Sequence, residues 1–330
     1  MFTRNKNIKL LLNYGLGPVL FIWLFYSIYE QIKNQPHLKE ALQSLRLSVT
    51  GTQSWKIYLA LLLVPFNWGL EARKWQVLLK PVEPIGFFTA FRAVLAGLAF
   101  SMNTPNRVGE YGGRVLYVQD GHRWKAFSLT IIGSFSQLMV TLTLGLGGLF
   151  FLLNSAVTAD AIAAYHIWIR VLFFGTLLVT GLLCLLYFRL DQLMKWVQKI
   201  PKARSFLRHM AVMETIPVRI LLRTISLSFM RYLIFVFQYI LLLQLFGVEA
   251  SVWHSFWLIT VLYLILAITP TIALAEVGIR GQVSLLLFAL VSTNKFGIAG
   301  AATAIWFINL VIPALAGSIL FLSLKIFSDK

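Results

Sequence analysis

Seven apolar runs dominate the sequence: residues 10–29, 57–70, 126–153, 166–188, 225–246, 253–275 and 298–324. In hydrocarbon every backbone N–H and C=O must be satisfied within the protein, which leaves the α-helix as the natural form for isolated runs of this kind. A helix that crosses a bilayer needs roughly 20 residues, and most of the runs reach that length. Of the 330 residues, 58% are hydrophobic and only 12% charged, with mean hydropathy +0.78. Soluble domains lie near about 45–50% apolar and about 25% charged. The chain therefore reads as an all-α polytopic membrane protein with a single transmembrane domain over residues 1–330.

The formal net charge of +17 raises the question of a nucleic-acid partner. The basic residues argue against one. They sit in short loops beside apolar segments, where lysine and arginine mark the cytoplasmic side and meet lipid headgroups. Residues 189–223 carry Arg189, Lys195, Lys199, Lys202, Arg204, Arg208, Arg219 and Arg223 against Asp191 and Glu214, and are placed inside. Connections 154–165 and 247–252 have no Lys or Arg and are placed outside. Counting outwards puts both termini in the cytoplasm and returns Arg73, Lys74 and Lys80 to that side. Arg4, Lys6 and Lys9 before residues 10–29 resemble a signal peptide, but "YSIYEQIKN" offers no small-residue cleavage site, so an uncleaved first helix is expected. The expected location is the plasma membrane, the inner membrane if the source is bacterial.

This count fails if residues 86–104 cross the membrane, because the basic segment 189–223 then faces outwards. It holds if 86–122 enters from the cytoplasm and returns as a re-entrant helical hairpin. The second half contains an echo of that stretch. "TPNRVGEYGGR" begins at Thr104 and "TPTIALAEVGIR" at Thr269, and both reach Glu-x-Gly-x-Arg, at Glu110–Arg114 and Glu276–Arg280. The sequence predicts about six spanning helices plus two re-entrant hairpins, 86–122 and 253–292, in an inverted repeat of about 10–153 and 166–324. Eight spanning helices are the alternative. Inverted repeats whose broken helices meet near the midplane are a transporter architecture.

Pro105, Gly109, Gly112 and Gly113 in the first motif, and Pro270 and Gly278 in the second, are expected to break the hairpins. The half-helix that follows each break would present free N–H groups to an anion. Arg107, Arg114 and Arg280 supply planar forks matched to phosphate oxygens, with Glu110 and Glu276 as counter-ions or proton-coupling groups. The plainer alternative is that Glu110–Arg114 and Glu276–Arg280 are i,i+4 pairs that hold their own helix turns. The five histidines have no ligand spacing and Cys184 stands alone, so neither a metal site, a cofactor nor a disulfide is expected. Hydrolase, ATPase and metalloprotease signatures are absent from the sequence. Trp55, Tyr58, Trp168 and Trp253 read as interface anchors, and residues 204–223 as a surface helix or a loop.

"NTPNRVGEYGGRVLYV", "EARKWQVLL" at 71–79 and "TPTIALAEVGIRGQVSLLL" resemble the lysylphosphatidylglycerol synthase transmembrane-region family, which includes the flippase domain of the multiple peptide resistance factor. The resemblance spans about residues 10–325. It implies an inner-membrane protein that binds or moves a lipid, with Arg107, Gly109, Glu110 and Arg114 carried onto the first motif and Gly278 and Arg280 onto the second. Two positions differ from many members: "TIIGSFSQ" at 130–137 lacks an early charged pair, and Gly281 stands where a glutamate is common. No stretch of the chain corresponds to the soluble synthase domain, so lysyl-lipid synthesis is not expected. The expected role is a lipid flippase or transporter taking an anionic headgroup, on a phospholipid or a polyprenyl phosphate, between the hairpins. The competing role is an accessory subunit of a membrane enzyme, or an intramembrane enzyme of lipid or glycan modification.

Overall fold

The computed structural model describes residues 53–102, 104–155, 162–190, 216–271 and 276–322, with the isolated positions 22, 26, 30, 51 and 192. The first apolar run and most of the 191–215 segment lie outside the described residues. Within them the chain is helical, with no strand. The helices are α1 (Trp55–Leu79), α2 (Phe87–Ser101), α3 (Gly109–Val115), α4 (Arg123–Asn154), α5 (His166–Phe188), α6 (Val218–Leu245), α7 (Val252–Ile268), α8 (Glu276–Phe288), α9 (Lys295–Trp306) and α10 (Ile312–Leu322). A π-helical turn, Phe307–Val311, joins α9 to α10.

Among the described residues, four helical stretches are long and apolar enough to cross a membrane: Asp120–Asn154, Ala163–Phe188, Val218–Leu245 and Lys295–Leu320. Helix α5 leaves Ile167, Phe174, Leu178 and Leu185 exposed along its length, a surface suited to lipid rather than water. Helix α1 has 25 residues but carries Glu71, Arg73 and Lys74 in its second half. Helix α6 begins at Val218, so Arg219 and Arg223 belong to its first turns rather than to the preceding basic loop. Lys74, expected on the cytoplasmic side as a topology signal, is buried inside the bundle.

Helices α1 and α6 form the central antiparallel pair. Gln238 donates to the Ala60 carbonyl at one end, Arg231 meets Asn67 and Glu71 in the middle, and Lys74 approaches Ser228 at the other. Each helix is followed by a helical hairpin, α2–α3 after α1 and α7–α8 after α6. Each hairpin returns to the end at which it began. Glu83, before α2, accepts from the Gln119 N–H at 3.2 Å and meets His122 Nδ1 at 3.0 Å, both after α3. Asn294, after α8, donates to the Phe246 and Gly247 carbonyls before α7 at 3.1 and 3.0 Å. Because α1 and α6 run in opposite directions, the hairpins enter the bundle from opposite ends.

The described arms are short helices. Helices α2, α3 and α8 have 15, 7 and 13 residues, against the roughly 20 that a crossing needs. Small residues let the arms close. A Cβ added at Gly113 would lie 2.5 Å from Gly97 Cα, and one at Gly317 of α10 would lie 2.0 Å from the Leu95 carbonyl oxygen of α2. Backbone contact through such residues is how helices pack where lipid supplies no hydrophobic drive. The expected breaks at Gly112 and Gly278 are not seen: both sit within helices, with no atom within 4 Å of an added Cβ. The first reversal runs through Thr104–Val108 instead.

These two neighbouring glycines give a test of the packing. Gly113→Ala should cost about 1–3 kcal/mol, because the added methyl overpacks the α2–α3 contact. Gly112→Ala should be neutral or stabilising by up to about 1 kcal/mol, from helix propensity alone. Thermal unfolding of the two variants in one detergent measures the difference.

Candidate functional site

The turn that opens α3 has unusual backbone. Asn106 and Arg107 have φ of +50° and +57°, the left-handed region that costs residues with a Cβ about 1–2 kcal/mol. Asparagine tolerates it, whereas arginine visits it rarely. Contacts with the second hairpin hold the turn in place. The Asn106 N–H donates to the Thr271 carbonyl at 3.0 Å, and the Thr271 N–H donates to Asn106 Oδ1 at 3.3 Å. Arg107 forms an ion pair with Glu276 at the start of α8. The two hairpin tips are thus joined to each other by backbone and by charge.

The N-terminus of α3 does not offer the free donors expected of it. Thr104 Oγ1 accepts the Gly109 N–H at 2.9 Å, while the N–H groups of Val108, Glu110 and Tyr111 reach the carbonyls of Pro105, Arg107 and Val108. Successive tight turns consume the donors before an anion could use them.

Two ion clusters lie beside the tips. The first centres on Glu71 of α1, which is 3% exposed. Its carboxylate accepts from Lys74 at 2.7 Å, Arg114 of α3 at 2.8 Å and Arg231 of α6 at 2.8 Å. Arg114 also pairs with Glu110, and Arg231 donates from Nε to Asn67 Oδ1 at 2.8 Å. The second cluster centres on Glu276, which pairs with Arg280 one turn along α8 and with Arg107 across the hairpin tips. Both i,i+4 pairs read from the sequence therefore form, but each is one edge of a network that joins separate helices.

A cavity of about 350 Å³ opens beside the tips. Arg107, Arg231, Arg280 and Glu276 line it, three cations against one carboxylate among the described lining residues. Glu276 is already shared between two of those arginines. Arg231 stacks on Trp68 and Phe235, at 4.7 and 5.2 Å from the ring centroids, and Arg280 lies 5.4 Å from that of Tyr263. Over both clusters Arg107, Arg114, Arg231, Arg280 and Lys74 face Glu71, Glu110 and Glu276, a formal excess of two positive charges. A low-dielectric surrounding makes such an excess costly unless an anion joins it.

Of the residues read from the sequence, Arg107, Arg280 and Glu276 come together at the cavity. Arg114 and Glu110 do not line it. Arg114 is buried between Glu71 and Glu110, where both carboxylates hold it away from the opening. Pro105 and Pro270 are exposed at the two tips. Gly109 approaches the Phe100 carbonyl so closely that an added Cβ would lie 2.3 Å from it.

Sequence reasoning missed Arg231, Glu71, Lys74 and Asn67. Arg231 did carry a signal: it is an arginine inside the apolar run 225–246, and an intramembrane cation marks a functional position by default. Asn67, Glu71 and Lys74 recur at helical spacing on one face of α1, but their proximity to a charged loop masked them.

The fold defines a multi-pass helical membrane protein with a charged cavity inside the bundle. Residues 11–317 match the family described as the lysylphosphatidylglycerol synthase TM region. The chain belongs to that family, which makes it a membrane protein of lipid-related function. Comparison with curated proteins and with solved structures finds no match.

The Glu71 network predicts its own sensitivity. Glu71→Gln leaves Lys74, Arg114 and Arg231 buried with too little negative charge and should cost about 3–5 kcal/mol. Glu110→Gln removes a partly exposed carboxylate from Arg114, which retains Glu71, and should cost no more than about 1 kcal/mol. Folded yield and unfolding temperature of the purified variants provide the comparison.

Proposed function

We propose that this protein binds the phosphate of an anionic membrane lipid in the cavity beside the joined hairpin tips and moves the headgroup across the bundle. The observation that carries this reading is the three-to-one excess of arginine over glutamate on the wall of a cavity within an apolar helical bundle. Arginine presents a planar fork that pairs two phosphate oxygens, and is less tightly hydrated than lysine. Arg107 and Arg280 are the donors best placed to exchange partners, because they share one carboxylate. Arg231 is held more firmly by Glu71, Asn67 and two rings and supplies a fixed positive field.

In this mechanism Glu276 is the resident counter-ion. An arriving phosphate competes with it for Arg107 and Arg280. Winning Arg107 breaks the charge link between the tips, while the two Asn106–Thr271 hydrogen bonds remain. The site is thereby coupled to the opening of the hairpins. Each hairpin enters from a different end of the bundle, so separation of the tips connects the cavity to both.

The packing supports an inverted repeat as the basis of this arrangement. Helix α4, which closes the first half, packs on α7 of the second hairpin, and α10, which closes the second half, packs on α2 of the first. Helices α1 and α6 pair across the middle. The same exchange of partners is expected of two halves with opposite topology. We place both hairpins as re-entrant and both termini in the cytoplasm.

Two measurements test the proposal. Arg280→Gln should lower the anionic phospholipid that co-purifies with the protein by at least tenfold, whereas Glu276→Gln should raise it by freeing both guanidinium groups. A fall in both variants with unchanged folding would make the cluster structural. Single cysteines at Lys80 and Lys125, in a chain with Cys184 replaced by serine, should be labelled by an impermeant reagent from the same side of the membrane. Labelling from opposite sides would remove the re-entrant hairpin.

A further inference from the structure

The same cavity contains polar groups that a phosphate alone does not engage. Asn309, 2% exposed, lines it from the π-helical turn Phe307–Val311. Both atoms of its amide, Nδ2 and Oδ1, are buried without a hydrogen-bond partner among the described residues. Tyr232, also 2% exposed, lines the cavity with its hydroxyl in the same condition, and so does Gln137 with Oε1. Leaving a buried polar group unpaired costs about 1–3 kcal/mol. Three side chains from α4, α6 and the π-turn carry that cost towards one cavity. A π-turn is itself a rare irregularity that is frequent at functional sites.

These groups differ in chemistry from the arginines. The Asn309 amide offers a donor and an acceptor, Tyr232 a hydroxyl that does both, and Gln137 Oε1 an acceptor. Together they match hydroxyl groups, each of which donates one hydrogen bond and accepts others. Their oxygens can accept from an ammonium group as well, but none of the three carries the negative charge that would balance it. Glu276 is the one carboxylate among the described lining residues, and two arginines hold it. The rings of Trp68, Phe235 and Tyr263, a type of surface that attracts quaternary amines, already face Arg231 or Arg280. A cationic headgroup would enter a site with a positive excess and no free counter-ion.

We infer that the cavity selects a phosphate ester of an uncharged polyol, such as a glycerol or sugar headgroup, with Arg107, Arg231 and Arg280 on the phosphate and Asn309, Tyr232 and Gln137 on the hydroxyls. This rests on the anion site proposed above and adds the class of headgroup attached to the phosphate. A polyol headgroup on a lipid and a soluble polyol phosphate share this chemistry. The bilayer setting favours the lipid as the source.

The test is headgroup preference in the purified full chain, measured by native mass spectrometry against phosphatidylglycerol, phosphatidic acid and phosphatidylethanolamine with identical acyl chains. Phosphatidylglycerol should be retained at least tenfold over phosphatidylethanolamine and several-fold over phosphatidic acid. Tyr232→Phe, which removes only an unpaired hydroxyl, and Asn309→Leu should each reduce the preference for phosphatidylglycerol over phosphatidic acid by about three- to tenfold, the worth of one hydrogen bond. Phosphatidic acid binding itself should remain. Equal retention of phosphatidylglycerol and phosphatidic acid, unmoved by either variant, would overturn the polyol subsite while keeping the anion site. Equal retention of phosphatidylethanolamine would overturn both. Competition by glycerol 1-phosphate at the affinity of the lipid would keep the polyol-phosphate site and overturn its lipid source.

Discussion

A buried carboxylate with three cations around it organises this bundle. Glu71 receives Lys74 from its own helix, Arg114 from the first hairpin and Arg231 from α6. Through it the antiparallel pair α1–α6 and the short arm α3 become one unit. Desolvating four charges is expensive, and a network of this kind is weak support for stability in itself. Its value lies in geometry. Once Arg114 is fixed to α1, the seven-residue α3 cannot drift, and the turn before it is held where Arg107 meets Glu276.

The hairpin tips show how a costly backbone is maintained. Asn106 tolerates a positive φ, but Arg107 would rarely adopt one in a free loop. The reward comes from outside the loop, in one backbone–backbone hydrogen bond to the opposite hairpin, one from its backbone to the Asn106 side chain, and one ion pair. Local strain of this sort persists only where the surroundings over-determine it, and it gathers at sites that switch or bind. Here the strained residue is also the cation that bridges the two halves, so the strain and the proposed binding site are the same residue.

The cavity divides its polar lining into two kinds. Arginines that share a carboxylate can exchange it for another anion without leaving a bare charge behind. Asn309, Tyr232 and Gln137 have no such resident partner among the described residues, and their neutrality suits them to neutral groups. A headgroup with a phosphate and hydroxyls satisfies both kinds at once. The aromatic rings contribute by holding Arg231 and Arg280 in place, which leaves the forks of those side chains in fixed orientation.

The sequence by itself determined the solvent, the helical class and the two places where helices reverse, since each depends on local composition. An apolar run of 20 residues has few options in any context, and Thr-Pro followed by Glu-x-Gly-x-Arg repeats visibly at 104–114 and 269–280. It also supplied Arg107, Glu276 and Arg280, because charges beside a helix break are conspicuous. Only the tertiary structure decided which charges face the cavity. Arg107 and Arg114 look equivalent in the motif, yet Glu71, 43 residues away from Arg114, draws one into the core and leaves the other at the opening. Arg231, conspicuous only as a lone arginine in an apolar run, and Asn309 join the site from distant helices. The physical reason is that helix formation depends on neighbours within one or two turns, whereas the partner of a buried ion is whichever group the packing of distant helices brings within about 3 Å.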